Sequence, residues 1–471
     1  MSEWVGALPR LPEDHRVTSP RPPRASFVAL LLALSWSAAF ALLIGAAQAL
    51  GSHVEVGLAV ALFFVAQELG TMAVVAAAAL RRPRAASVNT ELPRVSVLIA
   101  ALDEAESIVA SVRSVLAQRG VELEVIVADY GSTDGTADLV ERSFGDAVRV
   151  LRLSHAGKGA ALERARAVAR HPVLVTVDAD TELAPGALAH LAAVFSDPRV
   201  EAAAGAVVPR DPRGWLERFQ VTEYLKNTLA RSGWSALGAL DQVPGALAAI
   251  RASSLDHAGG FPLDSLTEDY EVAFRLYAMA AREGRRITIP TIATARAYTE
   301  PPRTLLGLVR QRTRWFAGFL STLWRFRSLI ARPRAGTFGL VRLPLKVLDA
   351  VLPPIGLVSL ASLVLGLASG ETMLTALSIV LLAVRASTDL VVHALAIALH
   401  RRSRPSDDRT PSPTLAWLLA TALLESWSYA WLKQAAVLRA YPFALWRVRT
   451  WERARELPTP TTVQEEAAPA E

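Results

Sequence analysis

Two aspartates separated by one alanine close an apolar run: Val173–Leu183 reads VLVTVDADTEL. A strand of Val, Leu and Thr buried on both faces is expected there. If the backbone stays extended, Asp178 and Asp180 point the same way at the strand's carboxyl end. Carboxylates that close repel unless a cation sits between them. The same acids could instead cap a following helix, whose dipole favours them. Other groups of chemical interest are spread along the chain. DYGSTDGT, at Asp129–Thr136, is a glycine-rich turn closed by a helix start. HAGKGAAL sets Lys158 at a helix start, where ammonium and backbone N–H groups favour a phosphate. It is not a Walker loop, because the leading glycine and the trailing Ser or Thr are both missing. LTEDYEVAFRL, at Leu266–Leu276, opens an amphipathic helix with Glu268 and Asp269. Gln311, Arg314 and Trp315 stand at i, i+3 and i+4 of a basic amphipathic stretch, so one turn presents an amide, a guanidinium and an indole. Each has a plainer explanation: a β–α turn, a solvated lysine, acids in a first helical turn, a membrane anchor.

The elements that must position these groups alternate. Val95–Ala101 and Leu123–Ala128 read as buried strands, the second running into Asp129. Asp103 with Glu106 fits a capping box for a helix reaching about Gln118. A helix at 134–143, a strand at 148–153, a helix at 158–169 and a strand at 173–177 follow. Such alternation predicts an α/β domain with a mostly parallel sheet covered on both faces. Ligands of such sheets sit beyond the strands' carboxyl ends. Asp129 and Asp178 would then aim at one crevice, which favours the cation over the cap.

The 471 residues are 52% hydrophobic and 20% charged, with a mean hydropathy of +0.30. That is too apolar for an ordinary soluble protein and too charged for one wholly in a membrane. The absence of cysteine excludes disulfides, thiol catalysis and Cys-ligated metal centres. Nucleic acid is not an expected partner despite the net charge of +6. Only four of the 50 basic residues are lysines, and the basic residues gather beside apolar segments, as the positive-inside rule expects. Ser26–Leu50 carries no charge and Val56–Leu80 only Glu68, so 26–82 is expected to hold two transmembrane helices. A soluble domain is expected at 93–302 and amphipathic interfacial helices at 303–332. Further transmembrane helices are expected within 340–446, at about 347–370, 372–399 and 414–438. Residues 1–25 and 457–471 are expected to be disordered. Basic flanks at Arg81–Arg84 and Arg401–Arg404 predict a multi-pass cell-membrane protein with its soluble domain in the cytoplasm, and the arginine and alanine bias suggests a bacterium. If 414–438 spans once, the basic residues at 447–455 end outside. Either 414–446 folds back as a re-entrant hairpin or the rule fails here. Arg385, Asp389 and His393, then Glu425, Tyr429 and Lys433, recur at helical spacing in these segments. They read equally as interhelical salt bridges or as a polar lane for an exported glycan.

In this order the motifs resemble the inverting, membrane-embedded family 2 glycosyltransferases of the processive type, such as the cellulose, chitin, hyaluronan and poly-N-acetylglucosamine synthases. The pattern is an Asp after the second strand (Asp129), a D-x-D (Asp178 and Asp180), a T-E-D (Thr267, Glu268, Asp269) and a Q-x-x-R-W (Gln311, Arg314, Trp315). Segments at Gly259–Phe261 and Glu223–Trp234 also look like the family's, so the resemblance runs from Val95 to Trp315. It implies a GT-A-like nucleotide-sugar-binding domain inserted between transmembrane helices. It further implies transfer from a nucleotide-sugar donor, expected to be UDP-linked, to a growing polysaccharide with inversion to a β-linkage, coupled to export. The roles implied are a base or ribose contact for Asp129, diphosphate positioning for Asp178, and Mg²⁺ or Mn²⁺ coordination for Asp180 with Asp178. Lys158 would be a further phosphate contact, and Gln311 and Arg314 would hold the diphosphate. Asp269, beside Glu268, would take the acceptor's proton, and Trp315 would stack on the acceptor sugar. Tyr130 departs from the pattern where many members carry a second Asp; Asp103 stands where Asn is frequent; and Gly245–Leu255 is less aromatic than usual. The acceptor is expected to be a glycan or glycolipid at the lipid bilayer, and an accessory subunit is left open. Single transfer to a lipid or polyprenyl phosphate is the alternative, although the Q-x-x-R-W favours a polymerase. A transporter or receptor that only senses a nucleotide would need no base at Asp269.

Overall fold

The computed structural model describes residues 69–79, 92–154, 157–350, 364, 367–370, 372–404, 408, 414–425 and 428–456. The expectations for the two termini, for the first transmembrane helix and most of the second, and for most of 347–370 fall outside these residues.

The predicted alternation forms one side of an eight-stranded sheet. Its strands are β1 (Val95–Ala101), β2 (Leu123–Asp129), β3 (Arg149–Arg152), β4 (Val173–Asp178), β5 (Glu182–Leu183), β6 (Ala202–Pro209), β7 (Ala248–Arg251) and β8 (Thr291–Thr299). The spatial order is β3-β2-β1-β4-β7-β6-β8-β5. The first four run parallel, and β7 then pairs antiparallel with both β4 and β6. Successive side chains of a strand face opposite ways, and the two cores follow that rule. Leu98, Ile126 and Leu174 pack with Leu162 on one face, while Val97, Val127 and Val175 pack with Ile108 and Val112 on the other. Strand β6, AAAGAVVP, is buried along its whole length. Alanine offers no strand preference, but small residues are what this position admits. A methyl on Gly205 would lie 2.5 Å from the Leu247 side chain.

Two local expectations are corrected. The first helix starts at Ile108 after Ser107, not in a capping box of Asp103 and Glu106. Asp103 instead adopts φ +54° and accepts the Thr133 N–H at 2.7 Å, while its own N–H donates to Ser132 Oγ at 2.9 Å. It braces the β1 loop to the β2 loop. The expected span at 414–438 is also not one helix. Leu415–Glu425 ends and Tyr429–Glu456 begins anew. Eleven residues cover only about 16 Å, too little for a bilayer core of roughly 30 Å.

The helix Leu305–Arg325 is one long element, not several, with short 3₁₀ turns after it. It lies against Tyr429–Glu456: Thr313 Oγ1 donates to the Ala436 carbonyl at 3.1 Å, and Ala317 packs on Ala440 and Ala444. A 31-residue helix, Thr372–Arg402, fills the expected 372–399 segment. Among the described residues, no helix is long and apolar enough to cross a membrane.

Helical residues 69–79 pack on the long helix Trp215–Ala236, where a Cβ on Gly233 would stand 2.2 Å from the Val75 carbonyl oxygen. In a helix Ala is normally favoured over Gly by about 1 kcal/mol. Overpacking against backbone costs about 1–3 kcal/mol, so the steric term should win. Gly233→Ala is therefore expected to lower the melting temperature of the solubilised protein by a few degrees; a rise would refute this packing.

Candidate active site

The parallel half of the sheet sets the first acids. Ala101 of β1 is level with Asp129 of β2, and Ala100 with Asp178 of β4. The two aspartates thus share the carboxyl edge, separated by two strand spacings of about 4.8 Å each. Asp129 Oδ1 accepts the N–H groups of Gly131 (3.1 Å) and Ser132 (2.9 Å), which fixes the turn. Its Oδ2 is buried without a partner among the described residues.

Strand β4 stops at Asp178, so alternation is not what unites the two DxD acids. A turn does it, with the Thr181 N–H donating to the Asp178 carbonyl at 3.0 Å. Asp180 Oδ1 accepts from Thr181 Oγ1 (3.1 Å) and Thr299 Oγ1 (3.2 Å). Neither acid caps a helix: the next begins at Ala187 after Gly186. Burial, then the charges of Asp178 and Glu104, push the Asp180 carboxyl up to about 7.

Lys158 joins the pieces. Its Nζ lies 2.6 Å from Asp178 Oδ1 and 2.6 Å from Glu268 Oε1. Burial opposes its charge, but the two acids outweigh burial and hold its pKa above the usual value. An ammonium has three N–H donors, so one remains for a further anion. Its helix is seated on the 259–262 loop. Glu163 Oε2 accepts the Phe261 N–H at 2.9 Å, and Gly159 lies against the Pro262 carbonyl. Gly245 completes the cluster, since a methyl there would meet Lys158 Nζ and Glu268 Oε1 at 3.1 Å each.

Glu268 and Asp269 open the helix Glu268–Glu283. Asp269 Oδ1 accepts the Tyr270 N–H at 2.9 Å, and Oδ2 accepts Gln242 Nε2 at 2.5 Å. Burial and then Glu268 push this carboxyl up to about 6, against the pull of Gln242 and Lys158. Thr267 presses on Gly318 of the Leu305–Arg325 helix, where a Cβ would come within 2.3 Å of its Oγ1.

The Q-x-x-R-W residues are only partly gathered in. Trp315 packs with Tyr224, Val207 and Ala246, its ring 6.4 Å from that of Tyr224. Gln311 Oε1 accepts from Arg312, and Arg314 is exposed with no ion pair among the described residues. Arg312, which the motif treats as variable, is the buried cation here. Its Cζ stands 4.3 Å from the centre of the Trp315 ring, and Nη2 donates to Glu223 Oε2 at 2.6 Å. Burial would raise the Glu223 carboxyl, but Arg312 and Lys433 hold it down to about 2. The network continues: Tyr429 donates to Glu223 (2.6 Å), Glu425 meets Lys226 (2.8 Å) and Lys433 (3.0 Å), and His393 Nε2 lies 2.7 Å from Glu425. Of the two readings of these polar residues, the salt bridges are thus observed; the Arg385 side chain lies outside the described residues.

Among the described residues, no three His, Asp or Glu side chains are set to hold a metal unaided. The raised Asp180 carboxyl, crowded by Asp178 and Glu104, nevertheless suits a hard cation that takes its remaining ligands from phosphate oxygens.

Comparison with known proteins gives this geometry a family. Residues 93–318 match the family described as glycosyltransferase like family 2. These residues are a family 2 glycosyltransferase domain. The chain is 30% identical to a poly-β-1,6-N-acetyl-D-glucosamine synthase of Staphylococcus aureus over 240 residues, 50% of this chain and 57% of that one. It is 26% identical to a β-monoglucosyldiacylglycerol synthase of a Nostoc species over 261 residues, 53% and 54% of the two chains. The chain thus spans little more than half the length of these curated relatives. A mannosyltransferase from Pyrobaculum calidifontis, solved with GDP-mannose and Mn²⁺, superposes with a TM-score of 0.52 at 22% identity, over 90% of this chain and 99% of that one. The fold is accordingly GT-A-like.

Within the glycosyltransferase domain, Gln242 and Arg312 carry no motif signal that would have flagged them. Gln242 sits in an irregular loop, and Arg312 reads as one more interfacial arginine. The raised Asp269 carboxyl has a consequence for stability. Folding raises its pKa from the ordinary carboxylate value to about 6, so the folded state binds the proton more tightly across that window. Stability is then lost as pH rises from about 4 to 6. Asp269→Asn is expected to be more stable than wild type at pH 7.5, by about 2 kcal/mol. Melting curves should converge near pH 4; equal stability at both pH values would refute the assignment.

Proposed function

We propose that the protein is a metal-dependent, inverting glycosyltransferase that moves a sugar from a nucleotide-sugar donor, UDP-linked in our reading, onto a growing glycan at the cytoplasmic face of a cell membrane. The observation that carries this reading is the single cluster of Lys158, Asp178, Glu268, Asp269 and Gln242, with Asp180 beside it, on the edge where such sheets take ligands.

In this reading the unpartnered oxygen of Asp129 meets the nucleoside, and the third N–H of Lys158 meets the diphosphate. Asp180, with the free oxygen of Asp178, would hold Mg²⁺ or Mn²⁺, which supplies neutralisation of the charge on the departing nucleoside diphosphate. Asp269 takes the proton of the acceptor hydroxyl as that oxygen bonds to the anomeric carbon and the carbon–diphosphate bond breaks. One displacement without a protein nucleophile inverts the linkage. Trp315, wedged between Tyr224 and Arg312, offers a ring to the acceptor sugar. Arg314 and Gln311 would have to turn towards the diphosphate on donor binding. Membrane attachment is supported by the apolar segments at 26–82 and by exposed Leu305, Leu306 and Trp324 on the helix that carries Trp315. Coupling to export belongs to the same proposal.

The second reading, single transfer to a lipid or polyprenyl phosphate, is supported by the relative named for a diacylglycerol product. Membranes bearing the protein, given a panel of radiolabelled nucleotide sugars, should make labelled product from one donor. A ladder of lengths would mark the polymerase and a single lipid-soluble species the alternative. Asp269→Asn should bind that donor yet lose about 10²- to 10⁴-fold in rate. Transfer at the wild-type rate would overturn the assignment.

A further inference from the structure

We infer that Gln242, held in place by an Asp241–Arg342–Lys346 clamp, is a positioning residue that aims the Asp269 carboxylate and keeps it ionised. The inference rests on Asp269 being the base of the proposed reaction.

The loop between the helix Trp215–Ala236 and β7 touches Asp269 twice. Gln242 Nε2 donates to its Oδ2 at 2.5 Å, and the Val243 N–H donates to its backbone carbonyl at 3.3 Å. With Tyr270 N–H already on Oδ1, the carboxylate has one donor on each oxygen, which fixes its plane. A loop can aim a side chain only if the loop itself is fixed. Asp241, next in sequence to Gln242, is 3% exposed and supplies that anchor. Arg342 donates to its Oδ1 from Nε (2.9 Å) and Nη2 (2.8 Å), and Lys346 Nζ lies 3.3 Å from Oδ2. Both cations are themselves wedged. The Arg342 guanidinium stands 4.4 Å from the centre of the Trp234 ring, and Lys346 Nζ stands 4.6 Å from that of Phe319. Neither clamp cation pairs with Asp269, so the clamp acts on it through Gln242.

Gln242 matters chemically because the surroundings of Asp269 are divided. Glu268 on the same helix disfavours its charge; Lys158 and, from the helix Trp215–Ala236, Arg231 favour it; the Tyr270 hydroxyl also lies within electrostatic reach. Among the described residues, Gln242 is the one neutral side-chain donor on the carboxylate, and a hydrogen bond to the charged form lowers a carboxyl pKa. Gln242→Glu keeps the shape but exchanges the donor for a second carboxylate, so Gln242→Ala, which adds no charge, isolates the lost hydrogen bond.

The test is the pH profile of kcat/KM for sugar transfer by membranes bearing wild type, Gln242→Glu, Gln242→Ala and Lys346→Met. The ascending limb, which reports the free enzyme's base, should move to higher pH by about one unit in Gln242→Glu. Each unit costs about tenfold below the limb, with recovery above pH 8. Lys346→Met, which loosens the clamp and leaves Gln242 in place, should move the limb the same way by less. A rate reduced equally at all pH values, or an unmoved limb in both Gln242 variants, would overturn the inference. If Asp269→Asn retains transfer, the base assignment itself fails, which is a different outcome.

Discussion

One ammonium organises the site. Lys158 enters from the start of a helix, Asp178 from the end of a strand and Glu268 from the first turn of a helix over a hundred residues later, and both acids lie within 2.6 Å of the same nitrogen. Removing one partner of such a group leaves a partly buried charge without compensation, which is far costlier than the pair is stabilising. The arrangement therefore acts as a constraint on the fold. The helix of Lys158, the 259–262 loop beneath it, Gly245 and the T-E-D turn can be assembled in only one relation to each other. Glycine at 159 is required because the Pro262 carbonyl already occupies the space of a side chain, and at 245 a methyl would crowd Lys158 and Glu268.

A second constraint ties the catalytic domain to the helices that follow it. Gly318 accepts Thr267 in direct contact, and Arg312 on the same helix is pinned by Glu223 and Tyr429. Trp315 lies between these anchors. Its position is thus set jointly by the sheet domain, through Tyr224, and by Tyr429–Glu456, through the Glu223–Lys433–Glu425 ion pairs. Here these buried charges fix the ring that the proposed function offers to an acceptor sugar.

The parallel strands, with their continuous apolar runs, and the acids at their ends were legible in the sequence because burial on both faces leaves few choices of residue. The antiparallel half was not. β6 is mostly alanine, and β7 and β8 carry no clean alternation, so tertiary packing decides them. Asp178 and Asp180 lie within electrostatic reach of each other, but across a turn and not along the extended strand expected for them. A reverse turn leaves little trace when Ala and Thr occupy it. The capping-box expectation at Asp103 failed because the residue is used across loops rather than within a helix. At 414–438, hydropathy runs on past the end of the helix Leu415–Glu425, where Glu425 meets Lys226, Lys433 and His393. Gln242 and Arg312 act only through contacts distant in sequence, which no local pattern announces.

The acids of the site are buried and crowded: burial, then Asp178 and Glu104, raise Asp180, and burial, then Glu268, raise Asp269. In the proposed reaction a cation arriving with a diphosphate would relieve that repulsion. The most direct measurement is electron paramagnetic resonance of Mn²⁺ titrated into wild type and Asp180→Asn, with and without a nucleoside diphosphate. Mn²⁺ should bind wild type weakly alone and tightly once the diphosphate is present, and Asp180→Asn should lose that gain. Equal tightening in both proteins would contradict a cation site built on Asp180.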